Sequence, residues 1–197
     1  MKKTIAVFDF DGTITNKDTF MDFIVQSCGF RRLCFGGIKS LPIMFFFGLR
    51  AVSADIAKEK IFACFLKGMP EIEFNSLCEN YALSQLPKIL KKQALEKIEW
   101  HRKQGHKLVV VSASLENWIK PWAETSGFEK VIATMPEIKN GILTGKFKTK
   151  NCNREEKPKR FLTDYPDRKD YYLYVYGDSR KDKWLLVIAD ERFYRRF

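Results

Sequence analysis

The chain has 197 residues, enough for one full hydrophobic core with a smaller module inserted in it. Lys and Arg number 35 against 24 Asp and Glu, a formal charge of +11 that suits an anionic partner: a phosphorylated metabolite, an anionic lipid surface or nucleic acid. The five cysteines, Cys28, Cys34, Cys64, Cys78 and Cys152, are odd in number and lack close metal-ligand spacing, which excludes a cysteine zinc site and fits reduced thiols in the cytoplasm.

Met1-Lys2-Lys3 could open a signal peptide, but Asp9 and Asp11 break the apolar run after it too early for an h-region, so a cytoplasmic chain is expected. Ile5 to Phe8 is a short apolar run followed by Asp9, Asp11 and a Gly-Thr turn. It reads as a buried strand, in a parallel sheet covered on both faces, with the two acids at its C-terminal edge where open α/β sheets bind ligands. Two acids one residue apart repel each other unless a cation lies between them, and Mg²⁺ takes such oxygen ligands while leaving room for a substrate phosphate. Asp9 is then placed to attack as a carboxylate nucleophile, and Asp11 to protonate the leaving oxygen and activate water. The bland alternative is a strand ending in a solvated Asp-Gly turn.

Met21 to Gln26 fits a helix. Arg31 and Arg32 then lead into Leu33 to Leu49, LCFGGIKSLPIMFFFGL, which is apolar yet contains Lys39, Pro42 and three glycines. It is shorter than the ~20 apolar residues needed to span a bilayer. Two readings stand. Ile43 to Phe47 forms the core of a helical subdomain, or the segment dips an apolar face into a membrane interface with Arg31, Arg32, Lys39 and Arg50 on anionic headgroups.

Ser53 is placed to cap a helix running to Lys67, with Gly68 as its stop and Pro70 beyond. A second helix is expected over Glu71 to Ala82. A third runs from about Pro87 to near Gly105 and carries Ile89, Leu90, Leu95 and Ile98. Its Lys88, Lys91, Lys92, Lys97, Arg102 and Lys103 read as a solvated face. Residues 16–104 therefore form a helical insertion between the first strand and the next.

That next strand is His106 to Val111, apolar enough to be central. The small residues Ser112, Ala113 and Ser114 follow, letting backbone N–H groups face a bound anion, with Ser114 placed to cap the next helix. Pro121 interrupts that helix and Gly127 ends it. A strand over Val131 to Thr134 precedes a hairpin at Asn140-Gly141 that continues through Ile142 to Phe147. Lys157 lies in the polar loop Lys150 to Lys159, where a surface lysine is the plain reading. The last strand, Tyr171 to Tyr176, delivers Asp178 and Asp182 through Gly177. Their spacing lets both face one metal, Asp178 as a direct Mg²⁺ ligand and Asp182 through water or Ser179. His101 and His106 lie near no motif and read as satisfied or exposed. The basic aromatic tail Arg192 to Phe197 has no assigned chemistry.

Taken together, Val7 to Ile14, the strand ending at Ser112, Arg154-Glu155-Glu156-Lys157 and Gly177-Asp178-Ser179-Arg180-Lys181-Asp182 resemble, in order, the four signatures of haloacid dehalogenase-like (HAD) hydrolases of subfamily IB. The resemblance implies a Rossmann-like α/β parallel-sheet core (residues 1–15 and 105–197) with an inserted α-helical cap (16–104). It implies a Mg²⁺-dependent phosphatase in which Asp9 forms an aspartyl-phosphate, and Asp9, Asp11, Asp178 and Asp182 hold the metal. It further implies that Ser112, Ala113 and Lys157 bind the transferring phosphoryl group. The core is phosphoserine phosphatase-like, but Gly12 and the segment Asn16 to Phe20 differ from that enzyme's serine-recognising pattern. The apolar, Pro-containing segment resembles the cap of phosphatidylglycerophosphatase C, so the expected substrate is a lipid phosphate, with peripheral contact at the inner face of an anionic membrane. The alternatives are a small soluble phosphate ester, a phosphomutase, or a non-enzymatic basic binding module. Nucleic acid has only charge in its favour.

Overall fold

The computed structural model describes residues 3–197; Met1 and Lys2, the start of the segment weighed as a leader, lie outside them. Seven strands are described: β1 (Lys3–Phe8), β2 (Lys107–Leu115), β3 (Lys130–Thr134), β4 (Pro136–Lys139), β5 (Ile142–Phe147), β6 (Tyr171–Gly177) and β7 (Glu191–Tyr194). The helices are α1 (Thr19–Ser27), α2 (Phe30–Gly48), α3 (Ala54–Leu66), α4 (Glu71–Asn80), α5 (Lys92–Lys103), α6 (Glu116–Thr125), α7 (Glu156–Asp164) and α8 (Lys183–Val187).

Five strands pair in parallel in the order β3-β2-β1-β6-β7, while β4 and β5 form a separate antiparallel hairpin. The period-2 alternation of a strand explains the layering. Ile5 and Val7 face a core shared with Val109, Leu173, Phe161 of α7 and Leu185 of α8. Ala6 and Phe8 face the other, with Val110, Ile98 of α5 and Trp118 and Trp122 of α6. The strand order reverses at β1 and β6, so the ends of these two strands border the crevice where such sheets bind ligands.

The insertion leaves and rejoins the sheet at one place. Thr15 bridges Leu90, the Asn16 N–H donates to Ile89 O, and the Lys91 N–H donates to Ile14 O. This pairing explains why the third expected helix starts late. Leu86–Ile89 is a single 3₁₀ turn, Leu90 is extended, and α5 begins at Lys92 and packs on the sheet. Pro121 lies inside α6 without ending it. Its one missing N–H is outweighed by burial of Trp118, Ile119, Trp122 and Ala123. Asn140 and Gly141, with φ of 51° and 72°, supply the paired left-handed residues of a tight hairpin.

Of the two readings of the apolar segment, the one that makes Ile43 to Phe47 a core does not match α2. Of its residues only Gly36 and Ser40 are buried, and Phe45, Phe46 and Phe47 are 63%, 49% and 46% exposed. The aromatic cluster therefore faces outward, and Pro42 sits within the helix. No helix among the described residues is long and apolar enough to cross a membrane.

Phe8, Tyr176 and Phe193 occupy one register line across β1, β6 and β7, and their rings stack at 4.4 and 4.6 Å between centroids. Behind this ladder lies fully buried His101, with Nε2 2.9 Å from the Tyr176 hydroxyl and Nδ1 2.7 Å from His106 Nδ1. Burial, helped by His106 and Lys97, pushes His101 down from its ordinary 6.5 to about 3. A depressed folded-state pKa means that the unfolded chain takes up the proton first, so this contribution is full above pH 6.5 and is lost as pH falls toward 3. The urea midpoint is expected to fall between pH 7 and pH 4, and His101→Phe should flatten that slope; an unchanged slope in the variant would contradict the assignment.

Candidate active site

The ends of β1 and β6 converge because small residues let them. Gly12, at φ 82°, lies against Asp178 so closely that a Cβ would sit 2.4 Å from its Oδ2. A Cβ on Gly177 would meet the Asp182 Cβ at 2.6 Å. The Thr13 hydroxyl then lies 3.1 Å from Asp178 Oδ1 and 3.3 Å from Asp9 Oδ2. Asp9, Asp178 and Asp182 each offer one carboxylate oxygen, all within 4.8 Å of one another. This all-oxygen set suits a hard divalent cation such as Mg²⁺.

Lys157 occupies the middle of this group. It is buried in the first turn of α7, and its Nζ donates to Asp9 Oδ1 and Asp182 Oδ1, at 2.5 Å in each case. The plain surface-lysine reading therefore does not apply. Burial alone would lower the Lys157 pKa, but Asp9 and Asp182 outweigh it and raise it. Burial raises Asp9 to about 8 against the pull of Lys157. For Asp182, burial is outweighed by the Lys157 charge and by the Ser179 N–H and hydroxyl on Oδ2, and its pKa falls.

Asp11, expected among the metal ligands, stands outside the three-carboxylate group. Its Oδ1 accepts from the Thr19 N–H at 2.7 Å and lies 2.5 Å from the Thr19 hydroxyl, while Oδ2 lies 2.5 Å from the Ser114 hydroxyl. Burial raises its pKa, with Asp18 adding to the rise. Lys58 and the Ser114 and Thr19 hydroxyls act against that rise. Ser114 does not cap α6; its hydroxyl is used on Asp11 and lies 3.1 Å from that of Thr19. Ser112 is buried on β2, where its Oγ accepts from the Ser114 N–H at 3.0 Å, and β2 shifts register between Ser112 and Leu115. Ala113 borders the cleft, as do Asp9, Asp11 and Lys157. The cleft has a volume of about 430 Å³.

A family model described as haloacid dehalogenase-like hydrolase matches residues 6–186. The chain belongs to this family. It is 31% identical over 199 residues to Protein CicA of Caulobacter vibrioides (strain NA1000 / CB15N), covering 98% of this chain and 86% of that protein. Among solved structures, a protein of unknown function from Bordetella pertussis Tohama I superposes with a TM-score of 0.77 at 23% identity, covering 95% of this chain and 87% of the other. A substrate-bound phosphoserine phosphatase superposes with a TM-score of 0.63 at 18% identity, covering 98% of this chain and 86% of that enzyme. The HAD core thus has the phosphoserine phosphatase-like fold.

Two lysines outside the predicted set hold backbone that borders this cleft, at Ala113 and Gly12. Lys58 projects from α3 and donates to Ala113 O at 3.0 Å, with its ammonium 4.8 Å from the centroid of the Phe20 ring. Burial lowers its pKa, opposed by Asp11 and Asp18. Its signal was present: Lys58 falls at i, with Phe62 and Phe65 at i+4 and i+7, on the inward stripe of α3. Lys91, assigned to a solvated face, instead holds the carbonyl of Gly12. Lys157→Met is expected to strand two buried carboxylates and to destabilise the fold by about 3–5 kcal/mol, measured by guanidinium unfolding at pH 7; a change below about 1 kcal/mol would mean that the ammonium is not their partner.

Proposed function

We propose that this HAD-type phosphatase is a Mg²⁺-dependent phosphomonoesterase that works through an aspartyl-phosphate on Asp9 and takes a lipid-borne phosphate at an anionic membrane surface. The observation that carries the substrate reading is α2. Its exposed apolar side chains include Phe35, Ile38, Leu41, Met44, Phe45 and Phe46, and its last turn brings Phe47 into the lining of the catalytic cleft beside Phe20, Met21 and Ile61. An apolar surface continuous with the cleft suits an amphiphile whose phosphate reaches Asp9 while its chains stay in the bilayer. Lys39 on α2, and Lys60 and Lys67 beside it, flank an apolar groove formed with Ile43 and Phe46, an arrangement suited to anionic headgroups.

Asp9 attacks phosphorus, the bond from phosphorus to the alcohol oxygen breaks, and Asp11 gives that oxygen its proton. Asp11 then takes a proton from water, which attacks the aspartyl-phosphate, releases inorganic phosphate and restores the Asp9 carboxylate. Lys157 holds Asp9 in place and offsets the charge that approaches it. Ser112 and the backbone at Ala113 are assigned to the phosphoryl oxygens. Bound by Asp9, Asp178 and Asp182, Mg²⁺ would supply neutralising charge for the carboxylates and the phosphate.

Phosphate release should be preferential from phosphatidylglycerophosphate in anionic vesicles over phosphoserine and sugar phosphates, require Mg²⁺, and vanish with EDTA or in Asp9→Asn. Preference for a soluble ester would remove the lipid reading, and phosphoryl return to a sugar would make the protein a mutase. In parallel, Phe45→Ser/Phe46→Ser should weaken sedimentation with anionic vesicles by at least about tenfold, as expected for the loss of two buried aromatic rings; unchanged sedimentation would remove α2 as the docking element.

A further inference from the structure

Among the described residues, Asn153 Oδ1 is the one buried side-chain nitrogen or oxygen atom with no hydrogen-bond partner. Buried polar atoms are almost always satisfied, so an exception calls for a partner or a role. Asn153 is 6% exposed and borders the same cleft as Asp9, Asp11 and Lys157. Its amide orientation is fixed by charge. Nδ2 faces Asp55 Oδ1 at 3.4 Å, and that same oxygen accepts from Asn151 Nδ2 at 2.6 Å. The reversed amide would set Oδ1 against a carboxylate, so the acceptor end is the one left without a protein donor.

The surrounding backbone supports a shaped site. The Asn153 N–H donates to Asn151 O at 2.8 Å, and Arg154 adopts a left-handed φ of 49°, a conformation that side chains other than glycine take at a cost. This tight loop leads within three residues to Lys157, which ties Asn153 to the nucleophile's partner. A neutral amide oxygen matches an uncharged donor, whereas an ammonium is matched better by a carboxylate.

We infer that Asn153 is a specificity-determining residue whose Oδ1 accepts a hydrogen bond from a hydroxyl on the alcohol portion of the substrate, making phosphomonoesters of polyols the preferred class. The inference rests on the phosphomonoesterase reading. Asp55, from the first turn of α3, is the positioning residue that holds the amide, so the cap takes part in reading the hydroxyl through a residue of the core. A site built to bond a hydroxyl discriminates against the analogue lacking it, because the acceptor is then left unpaired.

The test compares kcat/KM, with Mg²⁺, for glycerol 1-phosphate against propyl phosphate, and for phosphatidylglycerophosphate against its analogue lacking the headgroup 2-hydroxyl, in anionic vesicles; the pair that turns over gives the ratio. Wild type should favour the hydroxyl ester by about tenfold or more. Asn153→Ala should bring the ratio to within about twofold, both esters being compared in the same folded preparation. Asp55→Ala keeps Asn153 but frees its amide to turn, and should lower the ratio as well. A wild-type ratio near one, or a ratio unchanged in both variants, overturns the inference while leaving the phosphatase intact. Faster turnover of ethanolamine phosphate than of glycerol 1-phosphate overturns the choice of an uncharged donor. Turnover of none of these esters overturns the phosphatase reading, and the inference with it.

Discussion

The buried ammonium of Lys157 between Asp9 and Asp182 is the constraint on which the arrangement depends. Three carboxylates delivered by two neighbouring parallel strands cannot share so small a volume unaided. Lys157 supplies one compensating charge from α7, and a cation at the three-carboxylate set would supply more. The same crowding explains the glycines at the strand ends, since side chains at Gly12 or Gly177 would displace Asp178 or Asp182. The placing of Asp9 and the packing of the strand ends are therefore one electrostatic problem.

Asp11 is held by a different device. Its two oxygens are gripped by Thr19, at the start of α1, and by Ser114, near the end of β2, while Trp118 Nε1 donates to the Thr19 hydroxyl at 3.2 Å. The acid is thus braced jointly by insertion and sheet. Lys58 adds a link from α3 to the backbone of Ala113. Asp9 and Asp11, one residue apart in sequence, have separate supports, which allows their protonation to be tuned in different ways.

The fold and the gathering of carboxylates at the strand ends were legible because they rest on local patterns: apolar runs such as Ile5 to Phe8 and Tyr171 to Tyr176, each ending in glycine and aspartate. The direction of α2 was not legible. Phe45 to Phe47 would look the same in a core, and exposure depends on which neighbours the chain provides. Nor could the roles of Thr19, Ser114 and Asn153 be read, since each depends on a partner far away in sequence or, for Asn153, on a missing one. Lys91 shows the converse error: a lysine within a basic run is ordinarily solvated, and only the return of the chain past Gly12 gives it a partner.

The pairing of Thr15 and Asn16 with Ile89 to Lys91 brings the two crossing segments of the insertion side by side. The parallel sheet thus perceives the whole insertion as little more than a hairpin loop after its first strand. Length added or removed beyond that pairing would leave strand register untouched, whereas loss of Thr19 or Lys58 from the insertion would release Asp11 and the backbone at Ala113.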